Sequence, residues 1–154
     1  MGVRFLERLQ LIIKSELFDP VENASDHFRP PSIDQLREDL KHELGRLIAE
    51  QYTLSKSASQ ASLEIEGLES KAQRAVELGR DDLAKAALTE KSYLTSEQAQ
   101  IGSRLDRLDQ SIAAIENVLK SLSASNTPPA NLKAQLEELN TLLSNDTANT
   151  GDRT

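Results

Sequence analysis

Apolar residues recur every seven positions over two long stretches of this chain, with one glycine-marked break between the stretches. In the first stretch Leu40, Leu47, Leu54, Ala61, Leu68 and Ala75 form one row, with Leu44, Ala58, Ile65 and Ala72 at the complementary offset. In the second, Ala87, Leu94, Ile101, Leu108, Ile115 and Leu122 run beside Ala84, Leu105, Ile112 and Leu119. A seven-residue repeat keeps an apolar seam on one side of a helix and predicts helix packed on helix. Gln51 interrupts the first pattern, and Lys91 and Gln98 interrupt the second. At the break, Gly79 can adopt the left-handed backbone that ends a helix, and Asp81 is placed to cap the next one with Asp82 against its positive N-terminal dipole. The pattern predicts a long antiparallel coiled-coil helical hairpin over residues 32–122, with arms 32–78 and 81–122 of about 60–70 Å each at 1.5 Å per residue. Ala72, Ala75, Ala84, Ala86 and Ala87 gather at the turn and larger aliphatics fill the far end, a taper that suits two arms zipped together.

The flanks divide just as sharply. An amphipathic stretch over residues 1–18 leads into a proline-containing linker, 19–31, in which neither Pro20 nor Pro30-Pro31 can lie inside a regular helix. Ser32 is a natural N-cap for the first arm, with Gln35 in the capping-box position. After the second arm, residues 123–130 carry Pro128-Pro129 and read as a hinge. Leu132, Leu136, Leu139 and Leu143 predict a short helix over 131–144, and residues 145–154 have nothing to bury and read as a disordered tail.

At 100° per residue, Phe5, Leu6, Leu9, Ile12 and Ile13 share one face of the first stretch, while Arg4, Glu7, Lys14 and Ser15 lie opposite. Arg8 sits at the border, where its stem can cover apolar surface while its charge reaches out. Leu11 and Phe18 fall on the polar side and Glu16 on the apolar side, so the pattern holds to Lys14. Two partners fit this face. One is an anionic membrane surface, which the basic excess of Arg4, Arg8 and Lys14 over Glu7 favours. The other is the hairpin itself, or another copy of it.

Composition narrows the class. The 154 residues contain 3% aromatics, no Trp and 28% charged side chains, so an all-α protein built of helix seams is expected rather than a thick core. Without Cys there is no disulfide framework and no thiolate chemistry, which suits the cytoplasm. The apolar run Leu11-Ile12-Ile13 is far shorter than the ~20 residues needed to span a bilayer, so membrane contact is expected to be peripheral. A net charge of −7 without any basic run argues against a nucleic-acid partner.

The sequence offers no catalytic, cofactor-binding or metal site, and a non-enzyme is expected. His27 and His42 stand in different regions, and no glycine loop for phosphate is present. The adjacent acids Asp81-Asp82 and Glu137-Glu138 point apart on a helix. Asp34/Arg37, Glu43/Arg46 and Glu116/Lys120 have the spacing of solvated surface pairs. Arg80, at the exposed tip, either pairs with Asp81 or Asp82, lends its charge to the end of the first arm, or serves a neighbouring subunit.

Residues 79–91, Gly-Arg-Asp-Asp-Leu-Ala-Lys-Ala-Ala-Leu-Thr-Glu-Lys, closely resemble the hairpin tip of the phage shock protein A (PspA) family. That family includes the plastid vesicle-inducing protein and belongs to the ESCRT-III superfamily. The opening Met1-Gly2-Val3, the amphipathic helix through Ile13 and the Asp19-Pro20 junction are similar to the family plan, although its junction is tighter than the proline-rich 20–31 segment. The resemblance covers about residues 1–122 and then fades, leaving 131–144 to stand for the family's further helices, a C-terminally shortened member. It implies that Phe5, Leu6, Arg8, Leu9, Ile12 and Ile13 bind anionic membrane lipids. It also implies that the tip, Gly79, Arg80, Asp81, Asp82 and Leu83, contacts another subunit of a homo-oligomer. The function implied is self-association on the cytoplasmic face of the inner membrane to maintain or remodel it under stress. The alternative is a soluble regulatory or adaptor hairpin that binds another protein, such as a transcriptional activator ATPase.

Overall fold

The two heptad-patterned stretches become the two longest helices of the protein, α2 (Ile33–Glu77) and α3 (Asp81–Ser123), each within a residue or so of its predicted limits. They are flanked by α1 (Gly2–Ile13) and α4 (Leu132–Thr150). The computed structural model describes residues 2–14, 33–123 and 130–150, and among them there is no strand. The predicted linker, the Ser32 cap, most of the hinge and residues 15–18 and 151–154 lie outside the described residues.

The reversal between α2 and α3 satisfies the end of one helix and the start of the next with almost no spare chain. Gly79 has φ of 68°. Its N–H donates to the Val76 carbonyl at 3.0 Å, and the Arg80 N–H reaches back to the Ala75 carbonyl at 2.8 Å. This pair of bonds is the Schellman arrangement, which occupies carbonyls that a helix end otherwise leaves empty. The Arg80 carbonyl then accepts from the Ala84 N–H at 3.1 Å, the first bond of α3. Arg80 is therefore the N-cap residue through its backbone. Asp81, expected in that role, is instead the first residue of the helix, where with Asp82 it still complements the N-terminal dipole.

The chain divides into two compact units, one comprising Ala49–Asp106 and the other Met1–Ile48 with Arg107–Thr154. In the unit that carries the turn, Leu68, Ala72 and Ala87 form a buried cluster against which Leu94 packs. Ala75 and Ala84 are buried as well, in line with the predicted taper, but Ala86 faces solvent. Away from the turn Leu54, Ala58, Ala61, Ile65, Ile101 and Leu105 are only half-buried, because one helix can cover only the stripe that faces it. The residues that interrupt the α3 pattern find partners across this seam. Lys91 pairs with Glu69, and Gln98 Nε2 donates to Ser62 Oγ at 2.5 Å. The two contacts lie seven residues apart on both arms, one heptad, and thus define a single antiparallel register. Arg104 and Glu50 make a further cross-seam ion pair.

The other unit gathers α1, the opening turns of α2, the closing turns of α3, and α4. Leu36, Leu40, Leu47, Leu108, Ile115 and Leu122 are at most 1% exposed. The buried arc is wider than the heptad rows predict. Glu43, Ser111 and Val118 are buried, while Leu44, Ile112 and Leu119 are only half-buried. A helix with more than one neighbour buries more than one stripe, and the single-seam pattern does not anticipate this. Glu43, expected in a solvated pair, is 4% exposed and is held by Arg46, whose Nη2 donates to Oε1 at 2.6 Å and whose Nε donates at 3.0 Å. A carboxylate removed from water needs such a partner at hand. Arg37 donates from Nη1 to Asp34 at 2.8 Å, as its spacing suggests, but its Nη2 also donates to the Leu122 carbonyl at 3.0 Å. It thereby ties the start of α2 to the last turn of α3.

α4 opens at Asn131, whose carbonyl accepts from the Gln135 N–H at 3.1 Å. Leu132, Leu136 and Leu139 are fully buried and Leu143 is 5% exposed, so the predicted short helix docks along its whole apolar stripe. It runs to Thr150, past the limit of 144 at which the sequence predicts a tail. Asp146, 3.9 Å from Arg107 on α3, gives the added turn an attachment that no apolar pattern reveals.

A methyl group built on Gly79 meets no atom within 4 Å, so Gly79→Ala isolates the backbone cost of the reversal. The substitution is expected to lower stability by about 1–2 kcal/mol, read as a lower urea midpoint at unchanged slope.

Candidate functional site

The first candidate surface is α1. Its apolar positions fall as the 100° plot places them, and the structure shows what covers them. Leu9 is 0% and Ile12 2% exposed, Phe5, Leu6 and Ile13 are half-buried, and Leu11, on the polar side, is 50% exposed. α1 packs on α4. Arg8, at the border of the apolar face, places Nη2 2.9 Å from Asp39 Oδ2 on α2. Of the two partners that the sequence left open for this face, the protein's own helices occupy it in this conformation.

Two participants were not legible from sequence. Asp39 carries no signal beyond membership of an acid-rich helix opening. α4 shows its leucine stripe plainly, at spacings of three and four residues, but a stripe does not name the surface it meets.

The second candidate surface is the hairpin tip. Gly79, Arg80, Asp81, Asp82 and Leu83 are all exposed, and the large apolar side chains beside them are open to solvent, with Leu78 at 70% and Leu83 at 51%. Burial of neither is needed for the turn, whose bonds are all backbone. Arg80 Nε donates to Asp82 Oδ1 at 3.4 Å, a long contact between two exposed groups. Such a pair contributes little, on the order of 0–1 kcal/mol. Local pairing, one of the roles open to Arg80, is thus the one seen, and it leaves the guanidinium on the surface.

Neither surface encloses a reaction site. Lys85, Leu88, Thr89, Ser92, Tyr93 and Ser96 frame a shallow facet, but all six lie along one side of α3 and nothing among the described residues closes over them. Tyr93 donates its hydroxyl to Glu97 at 2.8 Å, an ordinary bond along the helix. Among the described residues no group of three or more His, Asp and Glu side chains is placed to hold a metal ion. His42, Glu137 and Glu138 are exposed, and His27 lies outside the described residues.

A family model described as the PspA/IM30 family matches residues 33–150, the stretch from the start of α2 to the end of α4. No curated protein matches the chain, and no solved structure does.

The burial contrast on α1 gives a direct test of its docking. Leu9→Ala should lower stability by about 1 kcal/mol, less than a leucine lost from a core that cannot open, because undocking of the one helix limits the loss, while Leu11→Ala should stay within about 0.5 kcal/mol of the parent. Equilibrium urea unfolding of the two variants checks both values.

Proposed function

The chain belongs to the PspA/IM30 family, and on that premise we propose that it is a peripheral membrane protein. It self-associates on the cytoplasmic face of the inner membrane and maintains or remodels that membrane under stress. The observation that supports this most is α1, a twelve-residue helix that sorts Phe5, Leu6, Leu9, Ile12 and Ile13 to one side and carries Arg8 at the edge. Such a helix lies in the plane of a bilayer with its apolar face among the acyl chains and its cations among anionic headgroups. Each large apolar side chain that inserts contributes roughly 1.5–3 kcal/mol, partly offset by the cost of leaving the protein surface. No helix of the described residues is long and apolar enough to cross a membrane, so insertion is partial and one copy binds weakly.

Linking copies multiplies weak contacts without changing any of them. Exposed Leu78 and Leu83 beside Arg80 support the tip as the place where a second subunit attaches. No step in this account breaks or forms a covalent bond, and the protein acts without catalysis.

The burial of Leu9 and Ile12 favours one other reading, a soluble hairpin that regulates or adapts another protein, such as a transcriptional activator ATPase, with α1 serving only as a fourth packing helix. Flotation with anionic vesicles separates the two. The full chain is expected to float, to lose binding as salt is raised, and to lose it at least about tenfold in Phe5→Glu, the loss of one inserted ring and the gain of a repelled charge. A chain that stays at the bottom of the gradient, or a Phe5→Glu variant that floats as well as its parent, removes the membrane reading. A protein-partner complex that survives deletion of residues 1–14 establishes the regulator.

A further inference from the structure

The geometry points to α4 as an intramolecular competitor of the bilayer for the apolar face of α1, so that the helix is held closed in the free protein and opens where lipid outbids α4. The inference rests on the membrane reading above. α1 has a single apolar face, and in the free protein its centre is shut, with Leu9 at 0% and Ile12 at 2% exposure. α4, whose Leu132, Leu136, Leu139 and Leu143 are equally buried, packs on it. Side chains closed against protein cannot at the same time enter acyl chains, so docking and insertion are alternatives. Among the described side chains of α1, Leu11 stands alone on the polar side and no second apolar surface is offered.

The apolar packing and the Arg8 ion pair of the docked state each have a counterpart on an anionic bilayer. The apolar face exchanges the α4 seam for hydrocarbon, an exchange between two dry environments. Arg8 exchanges the Asp39 carboxylate for a lipid phosphate, one oxyanion for another at the same guanidinium. Opening also bares the part of α4 that α1 covers, so the closed state is favoured without lipid and insertion must offset that cost. Apparent affinity for vesicles is the intrinsic affinity scaled by the fraction of open molecules. A protein that is about nine-tenths closed therefore binds about tenfold more weakly than one held open.

The test uses full-length protein and changes only residues outside α1. One variant carries Leu136→Glu with Leu139→Glu in α4, and a second carries Asp39→Asn. Without lipid, tryptic cleavage after Arg8 should speed up about tenfold in the α4 variant, because opening exposes α1 to the protease. Both variants should bind vesicles of phosphatidylcholine and phosphatidylglycerol more tightly than the parent, by about tenfold for the α4 variant and up to about fivefold for Asp39→Asn, the scale of a partly exposed ion pair. Adding Phe5→Glu to the α4 variant should cancel its gain. The competition is overturned if Arg8 cleavage is unchanged, if cleavage speeds up without tighter vesicle binding in either variant, or if the gain survives Phe5→Glu. If neither parent nor variants bind vesicles, the membrane reading fails. A parent that binds while its variants bind no better leaves that reading in place and removes only the competition. Asp39→Asn leaves every buried leucine in place, so a folding failure of the α4 variant does not shelter the inference.

Discussion

A helix can bury only the stripe that a neighbour covers, and most of what this protein shows follows from how many neighbours each stretch of helix has. In the unit that carries the turn, each arm has one partner. The seam there is built of alanines, half-buried aliphatics and polar pairs, and the outer faces keep Leu63 at 69% and Tyr93 at 63% exposure. In the other unit α1 and α4 join the two arms, and the same kind of heptad sequence yields a closed core that takes in a carboxylate, Glu43, with its arginine. The cross-seam pairs Lys91 with Glu69 and Gln98 with Ser62 matter most where burial is least. They disfavour slipped registers that a seam of small residues would otherwise tolerate.

The same constraint gives α1 its double character. A short amphipathic helix has one apolar face and must place it somewhere, and docked on α4 that face is satisfied without lipid. The interior of the unit that holds α1 is thus complete only while α1 stays, and on the proposed function its lipid-binding face is available only when it leaves. On the proposed function Arg8 belongs to both situations, since a guanidinium attracts a carboxylate or a phosphate alike. The tip has no such conflict. Its turn is closed by backbone bonds, and its side chains lie on the surface.

The hairpin was legible because its two determinants are local, a seven-residue repeat and a glycine that takes φ of 68° without steric cost. Arm limits, the small-residue taper and the all-α class follow from these. Capping failed by one residue at Asp81, because the Schellman turn uses the Arg80 backbone for both helices and leaves no position between them. The burial of Glu43, Ser111 and Val118 in place of Leu44, Ile112 and Leu119 was not legible, since a repeat specifies one seam and says nothing of a third or fourth helix. α4 continues past residue 144, where its apolar stripe ends, and Asp146 attaches there through a charge on α3. For the candidate surfaces, sequence sorted the α1 side chains to the correct face but could not choose between lipid and protein. An amphipathic face is blind to its partner.

Amide exchange in α4 of the full-length protein, with and without saturating anionic vesicles, is the most direct test that one face of α1 serves two partners. If α1 transfers to lipid, amides around Leu136 and Leu139 should lose protection on vesicles while the turn around Gly79 keeps its own. Full occupancy of the vesicles with protection in α4 unchanged would contradict the account, because the lipid would then be held by a surface other than the one α4 covers.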